Sequence, residues 1–248
     1  DPALASDPEL LLRGWERYGQ ELPERLAGEF AFVIWDERRR ELFAARDAFA
    51  TRPLYYARRA GGLALATEIG QLLALAGVDR RVEPRAVLDY LTGESSLEGE
   101  TFFVGVRRLS PGHCLFARPG GSEERRWWKP PGSRVEPHAA ERVLDLLRAS
   151  VRSRLESSGP VVAQLSGGID SSSVVRVAEE LYRREPLRPP LRVVSSIYPG
   201  RASDETRWLE FATRGLDFAC ERLDPAGLAV DPTIPFLADH PWRELGPN

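Results

Sequence analysis

The sequence predicts an α/β protein in two parts, and three observations predict it. Between residues 29 and 66, short apolar runs alternate with polar or glycine turns, as in hairpin-linked strands. After residue 138 the order becomes helix, strand, helix, strand, helix, strand, the pattern of a parallel sheet with packed helices. Residues 118–137 lie between these parts. They hold Pro119-Gly120-Gly121, Pro130-Pro131-Gly132 and Pro137, a density that joins domains.

Ser6-Asp7-Pro8-Glu9 reads as a helix start, with Ser6 as cap, Pro8 in the first turn and Glu9 three residues beyond the cap. Leu11, Trp15 and Tyr18 follow at helical spacing, and Gly19 is the expected stop. From Glu29, Phe30, Phe32 and Ile34 alternate with Ala31, Val33 and Trp35. Both faces are apolar, so the expectation is a strand covered on both sides. A polar turn at 36–40 leads to a second strand at 41–46. Residues 53–56 and 63–66 form another pair across Gly61-Gly62, and short helices are expected at 69–75 and 84–91.

Residues 118–137 are read as linker, with Trp127 and Trp128 anchoring it to one domain. Val143, Leu147, Val151 and Leu155 then mark an amphipathic helix. A short buried strand is expected at 161–165, a helix at 171–184, a strand at 191–198, a helix at 203–214 and a strand at 216–223.

The 248 residues are 42% apolar and 29% charged, enough for a core and unlike a disordered chain. The formal charge is −3, from 34 basic and 37 acidic residues, with no basic block. Nucleic acid and anionic membrane are therefore not expected partners. No run approaches the roughly 18 apolar residues of a membrane helix. Cys114 and Cys220 are too few and too far apart for a disulfide framework, so the expected compartment is the reducing cytoplasm. Both read as buried apolar residues. His113, His138 and His240 are scattered and suggest no metal cluster. The chain lacks methionine and starts at Asp1, so the expectation is that the gene product starts earlier.

The stretch that carries chemistry is Leu165-Ser166-Gly167-Gly168-Ile169-Asp170-Ser171-Ser172, between a predicted strand and a predicted helix. Paired glycines let the backbone turn sharply and approach a ligand. Successive N–H groups in such a turn form an anion nest, and the following helix adds its positive end. Ser166, Ser171 and Ser172 supply hydroxyls. Asp170 would repel bare phosphate unless a cation bridges the two, and Mg²⁺ held by one carboxylate plus phosphate oxygens suits that arrangement. No Gly-Lys-Ser/Thr follows, so this is not a Walker loop. A glycine turn with a serine cap is a common structural feature, but six matching positions in a strand–loop–helix context outweigh that reading. The residues match the Ser-Gly-Gly-x-Asp-Ser loop of ATP pyrophosphatases, which holds departing pyrophosphate. In the next strand, Ser195, Ser196 and Ile197 fall at the carboxyl end, where an adenine could meet backbone groups. Asp204-Glu205 reads as a helix start rather than as catalytic.

The chain resembles the asparagine synthetase family. The residues that carry the first half of the likeness are Ser6-Asp7-Pro8-Glu9, Arg25-Leu26-Ala27-Gly28-Glu29-Phe30-Ala31-Phe32, Trp35-Asp36, Arg46-Asp47, Arg52-Pro53-Leu54-Tyr55-Tyr56 and Ala66-Thr67-Glu68-Ile69. Leu109-Ser110-Pro111-Gly112-His113 and Trp128-Lys129-Pro130 continue it. The resemblance implies an N-terminal-nucleophile αββα sandwich, a glutamine-amidotransferase-like domain at 1–130 without its nucleophile segment. It further implies a parallel-sheet ATP-pyrophosphatase domain at 131–248 without its C-terminal part. Asp7 matches the family's glutamine-binding aspartate. Arg46-Asp47-Ala48-Phe49-Ala50-Thr51-Arg52 lacks the glycine usual in that loop, which suggests lost glutaminase activity.

The implied reaction is ATP-dependent, AMP- and pyrophosphate-forming amide synthesis by carboxylate adenylation. ATP and Mg²⁺ are the implied cofactors, and Asp170 is the metal-holding catalytic residue. Pro199-Gly200-Arg201-Ala202-Ser203-Asp204-Glu205 and Asp239-His240-Pro241-Trp242 look more like lasso-type macrolactam cyclases. Those act on an Asp or Glu side chain and the amine of a precursor peptide, with a protease as further partner. The alternatives are a glutamine-hydrolysing asparagine synthetase and a non-catalytic binding protein derived from the family.

Overall fold

The computed structural model describes residues 6–94, 99–132, 136–157, 159–185, 187, 190–202 and 204–225. They fall into two compact units, one ending at Gly132 and the other holding the described residues from 136 onward.

The first unit opens with α1 (Asp7–Tyr18). Glu9 accepts hydrogen bonds from the amide and hydroxyl of Ser6 (2.8 and 3.0 Å), the expected start signal, and these bonds hold its carboxyl below the usual range. Gly19 ends the helix at φ +53, and a 3₁₀ segment, Gly19–Arg25, follows that the periodicity had not indicated. Strands β1 (Ala31–Asp36), β2 (Glu41–Arg46), β3 (Tyr55–Arg59), β4 (Gly62–Ala66), β5 (Val106–Arg108), β6 (His113–Arg118) and β7 (Gly121–Arg126) form two antiparallel sheets. One runs β1-β2-β6-β7 and the other β4-β3-β5. Helices α2 (Ile69–Leu73) and α3 (Pro84–Thr92) lie between β4 and β5 in the chain.

Strand alternation explains the layering. Phe43 and Ala45 join Phe32, Ile34 and Cys114 in a cluster with Leu11, Trp15 and Leu22 from the α1 segment. The intervening Ala44 packs instead with Tyr56 of the other sheet, beside Leu109 and Leu115. On that second sheet Tyr55, Ala57 and Val106 face away, onto Ile69 and Leu72 of α2. Helix, sheet, sheet, helix is the expected αββα sandwich.

Two expectations are corrected. The second face of β1 is not covered: Val33 and Trp35 are 43% and 52% exposed. Among the described residues β1 is an edge strand, and on that face only Ala31 packs into the cluster between the sheets. Residues 121–126 are not linker but strand β7, paired with β6 from His113↔Arg126 to Arg118↔Gly121. Pro119-Gly120 is its hairpin turn, so proline and glycine marked a chain reversal there and not a domain joint. Trp127 does anchor the exit, with its indole N–H donating to the Arg46 carbonyl (3.2 Å).

The second unit contains α4 (Ala139–Leu155), β8 (Val161–Gln164), α5 (Ile169–Arg184), β9 (Leu191–Ser196), α6 (Thr206–Thr213) and β10 (Cys220–Leu223). The three strands are parallel in the order β10-β9-β8, as expected. Val151 and Leu155 of α4, Val175, Ala178 and Leu181 of α5, and Leu209 of α6 pack with Leu165, Leu191 and Val193. The odd-numbered positions of β8 and β9, and Cys220 of β10, therefore face the helices. Val162 and Leu223, on the other face, are 53% and 41% exposed. The strand at β8 is thus half-buried, not fully buried as its apolar run suggested. Val143 is also exposed, so the apolar stripe of α4 is used only toward its C-terminal end. Among the described residues, no helix is long and apolar enough to cross a membrane.

Candidate functional site: the 165–172 loop

Leu165 closes β8. Its side chain is 1% exposed and its amide donates to the Val194 carbonyl (2.8 Å), so neither faces a ligand. The chain then turns at Gly167, φ +87. A Cβ there would lie 2.6 Å from the Leu209 amide nitrogen and 2.7 Å from the Trp208 carbonyl carbon. Glycine is therefore required by the backbone of α6 pressing on the loop, in addition to the left-handed turn. The sequence indicated the sharp turn, and the close neighbour at Gly167 is the backbone of α6.

Gly168 is different. Its φ is −71, open to any residue, and a Cβ there would meet only Ser166 Oγ, at 3.4 Å. Space for a ligand lies here. Ser171 Oγ accepts from the Ser166 amide (3.2 Å), and the two hydroxyls are 3.0 Å apart. The Gly168 amide points at Ser166 Oγ (3.4 Å). The first helical bond of α5 runs from the Ser172 amide to the Gly168 carbonyl (3.1 Å). The amides of Ile169, Asp170 and Ser171 precede that bond and have no helical acceptor, the arrangement that receives anions.

Asp170 is exposed in the first turn of α5 and has no hydrogen-bond or ion-pair partner among the described residues. A free carboxylate beside an anion cradle fits one ligand of a hydrated Mg²⁺ that is also held by phosphate oxygens. Among the described residues no three His, Cys, Asp or Glu side chains group as a metal cage, so the fit is to a cation shared with a phosphate ligand.

The structure does not bring every expected residue to this point. Ser172 Oγ is buried without a partner, facing away from open space. Ser195 is 2% exposed because its odd position in β9 turns it toward the helices. The Ile197 amide is engaged by the Leu223 carbonyl (2.8 Å), which leaves Ser196 as the exposed residue of that trio. Asp204 accepts from the amide and hydroxyl of Thr206 (3.1 and 2.5 Å), bonds that lower its pKa and make it a helix-start residue, as expected. Asp7 belongs to the first unit. It is exposed at the start of α1 and makes no hydrogen bond or ion pair among the described residues.

One supporting device was not visible in the sequence. Buried Glu179 of α5 accepts from Arg176 (3.0 Å) and from the Asp217 amide (2.5 Å). Arg176 also donates to the carbonyls of Ala212 (3.0 Å) and Gly215 (3.2 Å). The end of α6 is thereby pinned to α5, while its first turns cover Gly167. The i, i+3 spacing of Arg176 and Glu179 was the only signal, and it resembles any helix-surface pair.

The first unit's 46–52 loop is well formed despite its missing glycine. Ala50 takes the left-handed φ of +54. Asp47 Oδ1 accepts from the amides of Phe49 (2.9 Å) and Thr51 (3.1 Å). Burial raises the Asp47 carboxyl, but these amide bonds and that from Arg52 outweigh it and hold the pKa below the usual range. Arg46 donates to the carbonyls of Ala50, Arg52 and Leu109. Burial, with repulsion from Arg108, brings its pKa down to about 10, still charged at neutral pH. The loop is thus ordered by its own hydrogen bonds, with Ala50 in the conformation a glycine would take. An L-residue held at such a φ costs about 1–2 kcal/mol. Ala50→Gly is expected to raise the stability of the first unit by about 1 kcal/mol after the added unfolded-state entropy of glycine. Chemical denaturation checks it, and an unchanged or lowered midpoint would contradict the strain.

Cys114 is buried and donates to the Arg125 carbonyl (3.4 Å). Burial pushes its thiol pKa up, and that of Cys220 likewise. Cys114 is buried as expected, whereas Cys220 is only partly buried against the core of the second unit.

The glutamine amidotransferase domain family matches residues 3–128, and the asparagine synthase family matches residues 142–223. The chain belongs to the asparagine synthetase family. Amidase chry2 of Gibberella zeae is 38% identical over 188 residues, 72% of this chain and 27% of that protein. Amidase chyE of Penicillium rubens shows the same identity and coverage. Glutamine-hydrolysing asparagine synthetase 3 of Bacillus subtilis is 30% identical over 197 residues, 78% of this chain and 32% of that protein. The chain thus spans about three tenths of the length of these relatives.

Proposed function

We propose that the protein carrying this chain is an ATP-dependent amide ligase that activates a carboxylate as its adenylate. The observation that carries the reading is the 166–171 cradle, where the Ser166 and Ser171 hydroxyls lie 3.0 Å apart at the free amides of α5, whose first turn carries the unpaired Asp170 carboxylate. In this reading a carboxylate oxygen attacks the α-phosphorus of ATP, and the bond to the β-phosphate bridging oxygen breaks. Ser166, Ser171 and the α5 amides hold the departing pyrophosphate. Asp170 holds Mg²⁺, which offsets phosphate charge when bound. An amine then attacks the acyl carbon, AMP leaves, and the nitrogen loses a proton. Positioning and charge stabilisation supply the rate.

For the acceptor we propose the Asp or Glu side chain of a precursor peptide, joined to its own amine as a macrolactam in the cytoplasm, with a protease as the further partner. The residues of the 199–205 and 239–242 segments favour this reading. The second reading, glutamine-dependent asparagine synthesis, is favoured by the intact Asp47 loop and the Bacillus subtilis relative. Product analysis on the full-length protein tests both levels. AMP and pyrophosphate are expected, whereas ADP and orthophosphate would exclude adenylation. Glutamate released from glutamine in step with AMP would select asparagine synthesis over macrolactam formation.

A further inference from the structure

Three hairpin tips of the first unit meet around an open cleft of about 650 Å³, between the ends of its two sheets. Arg40 comes from the β1–β2 turn, Arg58 and Arg59 from the end of β3, and Arg118 from the end of β6. Trp35, half exposed, and Leu63 supply apolar wall. No acidic side chain lines the cleft among the described residues. Arg40, Arg59 and Arg118 have no carboxylate partner there, and Arg58 donates only to the Ser122 carbonyl (3.3 Å). Two acidic residues of the adjoining turn, Asp36 and Glu37, are engaged elsewhere. Asp36 accepts from the amides of Arg38 and Arg39, and Glu37 accepts from the Trp35 indole (2.5 Å).

Four like charges converging on one cavity without a counter-charge repel one another, and an anionic partner relieves that repulsion. Their placement defines the partner's chemistry. The guanidinium groups come from three separate tips, so they suit several negative charges spread along a ligand and not one compact anion. Guanidinium matches carboxylate in planar, two-pronged geometry. The Trp35 and Leu63 wall adds a place for apolar side chains, and Trp and Arg are the residues enriched at protein-binding surfaces. The volume lies in the range of a ligand site.

We infer that this cleft binds an acidic peptide segment with interspersed apolar residues. The inference is independent of the ligase reading, because the cleft belongs to the first unit and the phosphate cradle to the second. Its test uses the full-length protein and a fluorescein-labelled peptide of alternating glutamate and leucine, read by anisotropy. Binding is expected to weaken steeply with salt. Arg58→Glu with Arg118→Glu is expected to weaken it at least tenfold, with the thermal unfolding midpoint unchanged. Should the doubly reversed protein fail to fold, Arg58→Gln with Arg118→Gln is expected to weaken binding severalfold. Equal binding by the substituted proteins would overturn the inference, as would equal binding of a lysine–leucine peptide. Displacement of the peptide by an equal concentration of inorganic pyrophosphate would also overturn it, by showing a site for a compact anion. None of these outcomes bears on AMP formation.

Discussion

Gly167→Ala is expected to unfold the second unit at a clearly lower temperature than the unsubstituted protein. The added methyl carbon would sit 2.6 Å from the Leu209 nitrogen and 2.7 Å from the Trp208 carbonyl carbon. These are backbone atoms of α6, and they cannot step aside as a side-chain tip can. The end of α6 is further held by Arg176 and the Glu179 that it pairs with. Overpacking of this kind costs about 1–3 kcal/mol, and an L-residue at φ +87 adds about 1–2 kcal/mol. The sum, roughly 2–5 kcal/mol, is a large share of a domain's stability. Gly168→Ala, one residue on, separates folding from binding. Its φ of −71 suits alanine and its Cβ meets only Ser166 Oγ, so the fold should keep or slightly gain stability. Pyrophosphate exchange into ATP should nonetheless fall, because the methyl group enters the space before the cradle. Differential scanning calorimetry with an exchange assay on both proteins checks the pair. An unshifted transition in Gly167→Ala would mean that α6 does not lie against the loop.

The contrast between these two glycines shows where sequence reasoning reached its limit. Element type was legible wherever the period was unambiguous. Val161, Ala163 and Leu165 declared a strand, and the parallel order of β8, β9 and β10 followed from helices intervening between them. The Ser6 start and the Asp204 helix-start role were legible because capping is local chemistry. What was lost is what depends on distant packing. Nothing local told that Gly167 faces the backbone of Trp208 and Leu209, some forty residues later. Nor could alternation alone tell which face of β9 meets the helices: the Ser195 side chain is buried against them, so only its backbone groups remain for the expected adenine contact. Strand β7, Gly-Ser-Glu-Glu-Arg-Arg, has no apolar residue at all. It is a strand because β6 offers it a hydrogen-bonding edge, a tertiary cause that propensity cannot register. The 46–52 loop shows another tertiary cause. No glycine stands there, and the Asp47 and Arg46 hydrogen bonds hold Ala50 in a left-handed conformation that sequence alone does not announce.

Asp170→Asn is expected to abolish turnover while leaving the fold intact. Asparagine keeps the size of the side chain and its place at the start of α5, but removes the negative charge. The carboxylate is exposed and has no ion pair to lose, so the unfolding transition should barely move. Its consequence falls on charge balance in the cradle. Ser166 and Ser171 offer neutral hydroxyl dipoles and the α5 amides offer partial positive charge, neither of which can anchor a divalent cation. Asp170 is the one carboxylate within the 165–172 loop. Without it, the 165–172 loop holds Mg·ATP only through the phosphates and no longer fixes the metal relative to the breaking α–β bond. A loss of about a hundredfold or more in AMP formation is expected, comparable with removing a principal charge-stabilising group. The loss should be accompanied by a higher Mg²⁺ requirement, a signature that mere structural damage would not produce. Asp170→Glu, which restores the charge on a longer arm, should recover part of the activity. Full turnover in Asp170→Asn at an unchanged Mg²⁺ requirement would place the cation on another residue and leave the 165–172 loop as a binder of phosphate only.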